Sequence, residues 1–367
     1  MSGHDVRARV REPEHTREEL METMGEQIDR TITVCLRPRY NWGATPKLWE
    51  AAYAKVGRPL SLVAAERLRD VLEPGDVVIL SGGFVVLPAF PNGEVCGIAG
   101  VVALARGLSA AFGTRSLFVS EEACLGPIGS VAKAAELRTW DYDVWMDRPA
   151  PFGTALYPFP IDDDEAKEEA CRVLDETGAK AVITVEKSDV NEHGIHHTGL
   201  GEDMGPHTAK VEHLVNEANK RGILTIGIGD VGNEIGFGLI HDEAARIIQP
   251  YGAACNCGCG GGIIAATPVD CLIVASCSNK GAYGLVGCLA GLMDNPDILH
   301  SVEIQQRMMD AVRDYPVHDA MTIRNTFTED GAPGELSLAL IKQLRWISEI
   351  PTWSSAAFDA VRVDTGW

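Results

Sequence analysis

Apolar residues recur at helical spacing at Leu60, Ala64, Leu68, Val71 and Leu72, and the run stops at Pro74-Gly75. Past that stop, short apolar runs alternate with longer amphipathic ones. Asp76–Leu80, Arg115–Val119, Lys180–Val185, Ile223–Ile228 and Asp270–Ala275 are too short for helices and rich in branched residues, so they read as strands. Helices are expected over Ile98–Phe112, Asp162–Thr177, Pro206–Lys220, Leu285–Met293 and Val302–Val312. A turn at Gly331–Pro333 precedes a last helix around Leu336–Ile347. Asp162–Thr177 has acids in its first turn and Gly178 just past its end, which suits the helix dipole and a left-handed cap. Pro206–Lys220 places Val211, Leu214, Val215 and Ala218 on one face. Strands alternating with helices predict an α/β fold with a mostly parallel sheet covered by helices on both faces. Residues 1–59 are weakly periodic, broken at Arg37-Pro38 and Thr45-Pro46, and read as an N-terminal helical extension to one α/β domain at 60–367.

Charge narrows the partners. The 367 residues carry 52 acids against 32 Lys and Arg, a formal net charge of -20. Such a field repels phosphate backbones and anionic lipid, so neither nucleic acid nor a membrane surface is expected as a partner. It is compatible with a cleft that collects cations. The longest uncharged stretch, Ile247 to Val269, is broken by Pro250, Asn256 and a glycine run, so it is not read as a membrane span. Cys271 and Cys277 lie in apolar runs, where cysteine behaves as a small hydrophobe. The first twenty residues mix Arg with Asp and Glu and lead into no apolar segment, unlike a targeting sequence. A reducing, cytoplasmic setting is expected.

In open α/β sheets, ligands bind beyond the carboxyl ends of the strands. Ser81-Gly82-Gly83 follows the first strand, with Pro91-Asn92-Gly93-Glu94 further along the same loop. Glu186 follows Lys180–Val185, and Gly229-Asp230-Val231-Gly232-Asn233-Glu234 follows Ile223–Ile228. Ser276-Cys277-Ser278-Asn279-Lys280-Gly281 follows Asp270–Ala275. Glu186, Asp230 and Glu234, with Glu94 as a fourth, would therefore converge on one edge. Converging carboxylates repel unless some are protonated or a cation is present, and an all-oxygen set suits Mg²⁺ or Mn²⁺. Each acid taken singly is more simply a helix cap or a solvated loop residue.

Gly227-Ile228-Gly229-Asp230-Val231-Gly232 has the glycine spacing of a dinucleotide loop, but Asp230 would turn a negative charge on the pyrophosphate. Cys255-Asn256-Cys257-Gly258-Cys259 has the look of a metal clip, yet no second C-x-x-C pair accompanies it. It reads as a flexible loop with free thiols. His193, His196 and His197 lie together, and one can serve acid/base chemistry near neutral pH or simply sit in a solvated turn.

These segments resemble the D-glutamate cyclase family. Ser81-Gly82-Gly83-Phe84 through Pro91-Asn92-Gly93-Glu94 is similar to the family's T-G-F-P … G-E-T-D-G-P. Val185-Glu186-Lys187, followed by residues 194–203, is similar to I-E-R … G-x-Y-x-N-M-R-G-x-D. Residues 227–238 resemble G-I-G-D-G-G-N-E-I-G-M-G, the most specific motif, and Ser278-Asn279-Lys280-Gly281 resembles S-N-W-G. The matches run in order over residues 76–290. Departures stand at Val95 and Cys96 (family Thr and Asp), at Lys187-Ser188-Asp189 (family Arg-Pro-Gly), at Gly199-Leu200 (family Met-Arg) and at Lys280 (family Trp). Gly334-Glu335-Leu336-Ser337 stands where relatives have a His-rich segment.

The resemblance implies an enzyme that closes D-glutamate to 5-oxo-D-proline with loss of water, helped by Mn²⁺ or Mg²⁺. From their placement at strand ends, Glu186, Asp230 and Glu234 are expected to cradle the cation, with Glu94 as the candidate base. Asn233, Ser278 and Asn279 orient the substrate, amides around Gly82 and Gly83 hold an oxyanion, and Lys280 or His197 meets a substrate carboxylate. Cys96 is a weaker candidate nucleophile within the same substrate pocket. The alternatives are a metal-dependent hydrolase of another lactam, hydantoin or imide, and a non-catalytic binder of a metal or an amino acid. A binder rarely needs so many acids around one anionic ligand. A homo-oligomer is expected from the size and class alone.

Overall fold

The computed structural model describes residues 15–35 and 43–352. The parts of the expected extension at 1–14 and 36–42, including the Arg37-Pro38 breaker, lie outside the described residues, as do 353–367. Seven parallel strands form the sheet: β1 (Val77–Gly82), β2 (Arg115–Ser120), β3 (Arg138–Trp140), β4 (Gly153–Pro158), β5 (Ala181–Val185), β6 (Leu224–Gly229) and β7 (Cys271–Val274), in the order β3-β4-β2-β1-β5-β6-β7. The α/β class with a parallel sheet is thus observed, and the five expected strands form with ends shifted by a residue or two.

Differences have local causes. β4 has only Ala155, Leu156 and Tyr157 as an apolar run between prolines, and β3 is a short, mostly exposed edge strand. Helix α5 (Glu122–Ala134) carries Pro127 and glycines 126 and 129, which give it the composition of a loop. Helix α8 covers only Glu212–Arg221, because a 3₁₀ turn at Gly205–His207 and the Lys210 amide's bond to Pro160 take up the residues before it. Helix α10 (Ser278–Leu292) begins seven residues earlier than its apolar periodicity, since its first turn is polar and buried.

The remaining helices are α1 (Arg17–Ile32), α2 (Ala44–Val56), α3 (Leu60–Val71), α4 (Val95–Phe112), α6 (Tyr142–Asp147), α7 (Asp163–Thr177), α9 (His241–Ile247), α11 (Val302–Val312) and α12 (Gly334–Ser348), with a small hairpin of β8 (Thr328–Glu329) and β9 (Ala332–Pro333). Strand order runs one way from β1 to β3 and the other way from β3 to β7. Right-handed crossovers therefore put α4 and α5 on one face and α7 and α8 on the other. Helix α10 packs against α4 and α3. Helix α4 is apolar and long enough to cross a membrane, but most of it is buried in this core.

The described part of residues 1–59 shares that core. Ile28 and Ile32 of α1 fit against Gly284 of α10, where a Cβ would come within 3.0 Å of the Ile32 side chain. Asp29, fully buried, accepts the Leu60 and Ser61 amides at 2.7 and 3.2 Å and the Trp49 indole at 3.1 Å, which caps α3 from α1.

The order of strands reverses between β1 and β5, the topological switch point of the sheet. A Cβ at Gly97, whose φ is 90°, would fall on the Gly83 amide, so glycine there lets the start of α4 close onto the end of β1.

Candidate active site

The neighbouring strands β5 and β6 each deliver acids to the same edge of the sheet. Glu186 leaves β5 with a left-handed φ of 52°, a strained conformation for a side chain of this size, while its amide still bonds Ile228 at 3.0 Å. Its Oε2 accepts the Ser278 hydroxyl at 2.5 Å and the Cys96 thiol at 3.6 Å. Asp230 follows β6, and its Oδ2 accepts the Ser278 main-chain N–H at 3.1 Å, at the start of α10. Glu234 folds back on its own loop. Its Oε1 accepts the Asp230 and Val231 amides at 3.0 and 2.9 Å, and its Oε2 accepts Gly232 at 2.7 Å.

Glu186, Asp230 and Glu234 offer oxygens that all lie within 4.8 Å of one another, and all three residues are buried. Glu94, at the N-cap position of α4, makes a second such group with Cys96 and Glu186. Burial pushes the Glu186 carboxyl well above its ordinary pKa, and the charges of Asp230, Glu234, Glu94 and Asp330 push it the same way. A divalent cation would relieve that crowding. Hard oxygen donors fit Mg²⁺ or Mn²⁺, and a carboxylate has about four lone-pair sites, so Glu234 can hold its loop and still ligate.

Several expected substrate contacts have other partners in this structure. Asn279 Oδ1 accepts the Gly97 and Gly100 amides at 2.8 and 2.7 Å, while Nδ2 donates to Val95 and to Glu329 at 3.1 and 2.9 Å. This side chain joins α10, α4 and the β8–β9 hairpin. Asn233 donates to the His197 carbonyl at 2.8 Å. The His197 ring itself faces thiols, with Nε2 3.1 Å from Cys257 Sγ. The Lys280 ammonium is buried and donates to the Ser276 hydroxyl at 3.1 Å. The Gly83 amide points at the Val185 carbonyl at 3.4 Å, and the Gly82 carbonyl accepts from Ser120 at 3.1 Å.

Other buried groups were not singled out by sequence. Lys187, fully buried, pairs with Glu121 at 2.5 Å and donates to Gly83 at 3.1 Å. Glu121 directly follows β2, so the rule that found Glu186 also points to it, while Lys187 comes one residue after Glu186. Cys277 lies 3.3 Å from Cys96, sulfur to sulfur. Asp330 sits in the β8–β9 turn at a φ of 49°, more than ninety residues along the chain from Glu234. Nothing in its local pattern beyond an acidic turn marks it. Phe84 and Phe90, in the loop between β1 and α4, form a small buried cluster with Met204, the two rings edge-on at 6.5 Å. Two surface hollows lie elsewhere, one lined by Arg30, Val34 and Leu336 and one by Arg67, Lys180 and Ile223.

The family described as D-glutamate cyclase-like, C-terminal, matches residues 20–345, and the chain belongs to that family. No curated protein matches the chain.

Proposed function

We propose that this D-glutamate cyclase-like chain makes or opens a small cyclic amide: D-glutamate to 5-oxo-D-proline plus water, or a related lactam. The observation that carries the reading is the buried meeting of Glu186, Asp230 and Glu234 past the carboxyl ends of the neighbouring strands β5 and β6. Ring closure forms a bond between the amine nitrogen and the side-chain carboxyl carbon, breaks that carbon's bond to a hydroxyl, and releases water. Glu94 takes the proton from the attacking amine. The proton that Glu94 takes up is then returned to the departing hydroxyl, which leaves as water. Glu186, Asp230 and Glu234 would hold Mn²⁺ or Mg²⁺, which when bound polarises the reacting carbonyl. Ser278 positions two of the acids, one through its hydroxyl and one through its amide.

A second substrate class is favoured by one observation. Cys96, which stands where the family has Asp, touches Glu186 at 3.6 Å, so the family's acid is replaced by a thiol inside the cluster. That supports a hydantoin, imide or other lactam opened by water with the same groups. A panel of these compounds separates the readings: conversion of any one, lost in Glu186→Gln, supports a cyclic-amide enzyme. Stabilisation by Mn²⁺ with no compound converted would favour a non-catalytic binder.

A further inference from the structure

Away from the carboxylates, the loop after α9 brings three thiols and an imidazole together. Cys255 Sγ lies 3.2 Å from Cys257 Sγ and 3.4 Å from Cys259 Sγ. His197 Nε2 lies 3.1 Å from Cys257 Sγ and 3.8 Å from Cys259 Sγ. All four donor atoms fall within 4.8 Å of one another. The fourth donor comes from sixty residues upstream, where C-x-x-C spacing cannot reveal it.

The local sequence explains the geometry. In an extended C-x-C-x-C segment alternate side chains share a face. Gly258 and Gly260, at φ of 83° and 88°, curl that segment so the thiols converge. The loop is tied down on both sides: Cys255 N donates to Gly261, Asn256 N to Gly201 and Asn256 Nδ2 to Leu200, at 2.8 to 2.9 Å. Asn191 donates to Cys259 Sγ at 3.4 Å, the kind of outer hydrogen bond that orients a metal thiolate. His197 is fully buried, so its ring is held toward the thiols.

We propose that Cys255, Cys257, Cys259 and His197 form a closed four-ligand site for Zn²⁺ that fastens the 255–262 loop to the segment carrying His197. Three thiolates and an imidazole are soft donors that select zinc over Mg²⁺ or Mn²⁺, and four protein ligands leave no open position. A tetrahedral ion with Zn–S bonds near 2.3 Å separates its sulfurs by about 3.8 Å, so the observed cluster needs only a few tenths of an ångström of expansion. Zinc binding would hold the His197 carbonyl that accepts from Asn233, which links this site to the carboxylate loop.

The test is the metal content of the full chain purified without chelators, together with the absorption spectrum after replacement by Co²⁺. The expected result is one zinc per chain and intense thiolate-to-cobalt bands with tetrahedral d–d bands. Both should persist in Glu186→Gln and vanish in Cys257→Ser/Cys259→Ser. The cobalt spectrum of the unaltered chain gives the answer even if that variant folds poorly. A chain that takes up neither zinc nor cobalt overturns the assignment. So does zinc lost in Glu186→Gln but kept in the cysteine variant, or an intact mass two hydrogens light from a disulfide in this loop.

Discussion

The hydroxyl of Ser278 donates to Glu186 Oε2 at 2.5 Å, so the first residue of α10 restrains the acid that ends β5. The same serine's amide holds Asp230. A hydrogen bond to a charged or proton-sharing carboxyl contributes about 1.5–3 kcal/mol, which is roughly a ten- to hundredfold effect on rate. Ser278→Ala is therefore expected to lower kcat on the converted substrate by that factor, while the conservative Ser278→Thr, which keeps the hydroxyl, retains most of it. An unchanged kcat would show that Ser278 does not position the acid.

Asn279 has a different job. With Asn279→Ala, the Gly97 and Gly100 amides lose their acceptor inside the core, at a cost of about 1–3 kcal/mol each. Urea unfolding should show a loss of about 3 kcal/mol. A variant within half a kcal/mol of the parent would contradict the clamp.

Lys187 and Glu121 form a buried pair. Lys187→Met leaves the Glu121 carboxylate without its cation, and breaking such a pair costs about 3–5 kcal/mol. Lys187→Met/Glu121→Gln should recover part of that loss, because the second change removes the stranded charge. Equal stability of the single and double variants would argue against the pair.

His300 gives a pH dependence with a definite sign. Burial holds its imidazole at about 4, below the ordinary 6.5, against the opposing hydrogen bond to Gln305. The unfolded chain therefore binds the proton first as pH falls. The stabilisation from neutral His300 is complete above about 6.5 and is lost progressively toward 4, by about 3 kcal/mol. Stability measured against pH should fall less steeply across this window in His300→Gln than in the parent. Parallel curves would contradict the assignment.

The strands that carry the acids were legible because each is a short branched apolar run followed at once by glycine, acid or amide. Glu186, Asp230 and Glu234 were found by that rule. The same rule points to Ser278, but not to the contacts of its hydroxyl and amide with two different acids, which exist only once β5, β6 and α10 are assembled. Asn279 looked like a substrate contact because it follows a strand end, whereas its amide is engaged by α4 and Glu329. Asp330 and the partnership of His197 with Cys255, Cys257 and Cys259 depend on segments far apart in the chain, which no local spacing reports. β4 and α5 were missed because prolines and glycines mask their periodicity.

Metal-assisted cyclic-amide chemistry at the Glu186 cluster can be followed by proton NMR of the purified chain with D-glutamate and, separately, with 5-oxo-D-proline, each with Mn²⁺ and with EDTA. Interconversion, or turnover of a related lactam under the same conditions, is expected to depend on the metal and to disappear in Glu186→Gln. Turnover that proceeds unchanged in Glu186→Gln, or none with any cyclic amide in the presence of bound Mn²⁺, would contradict that expectation.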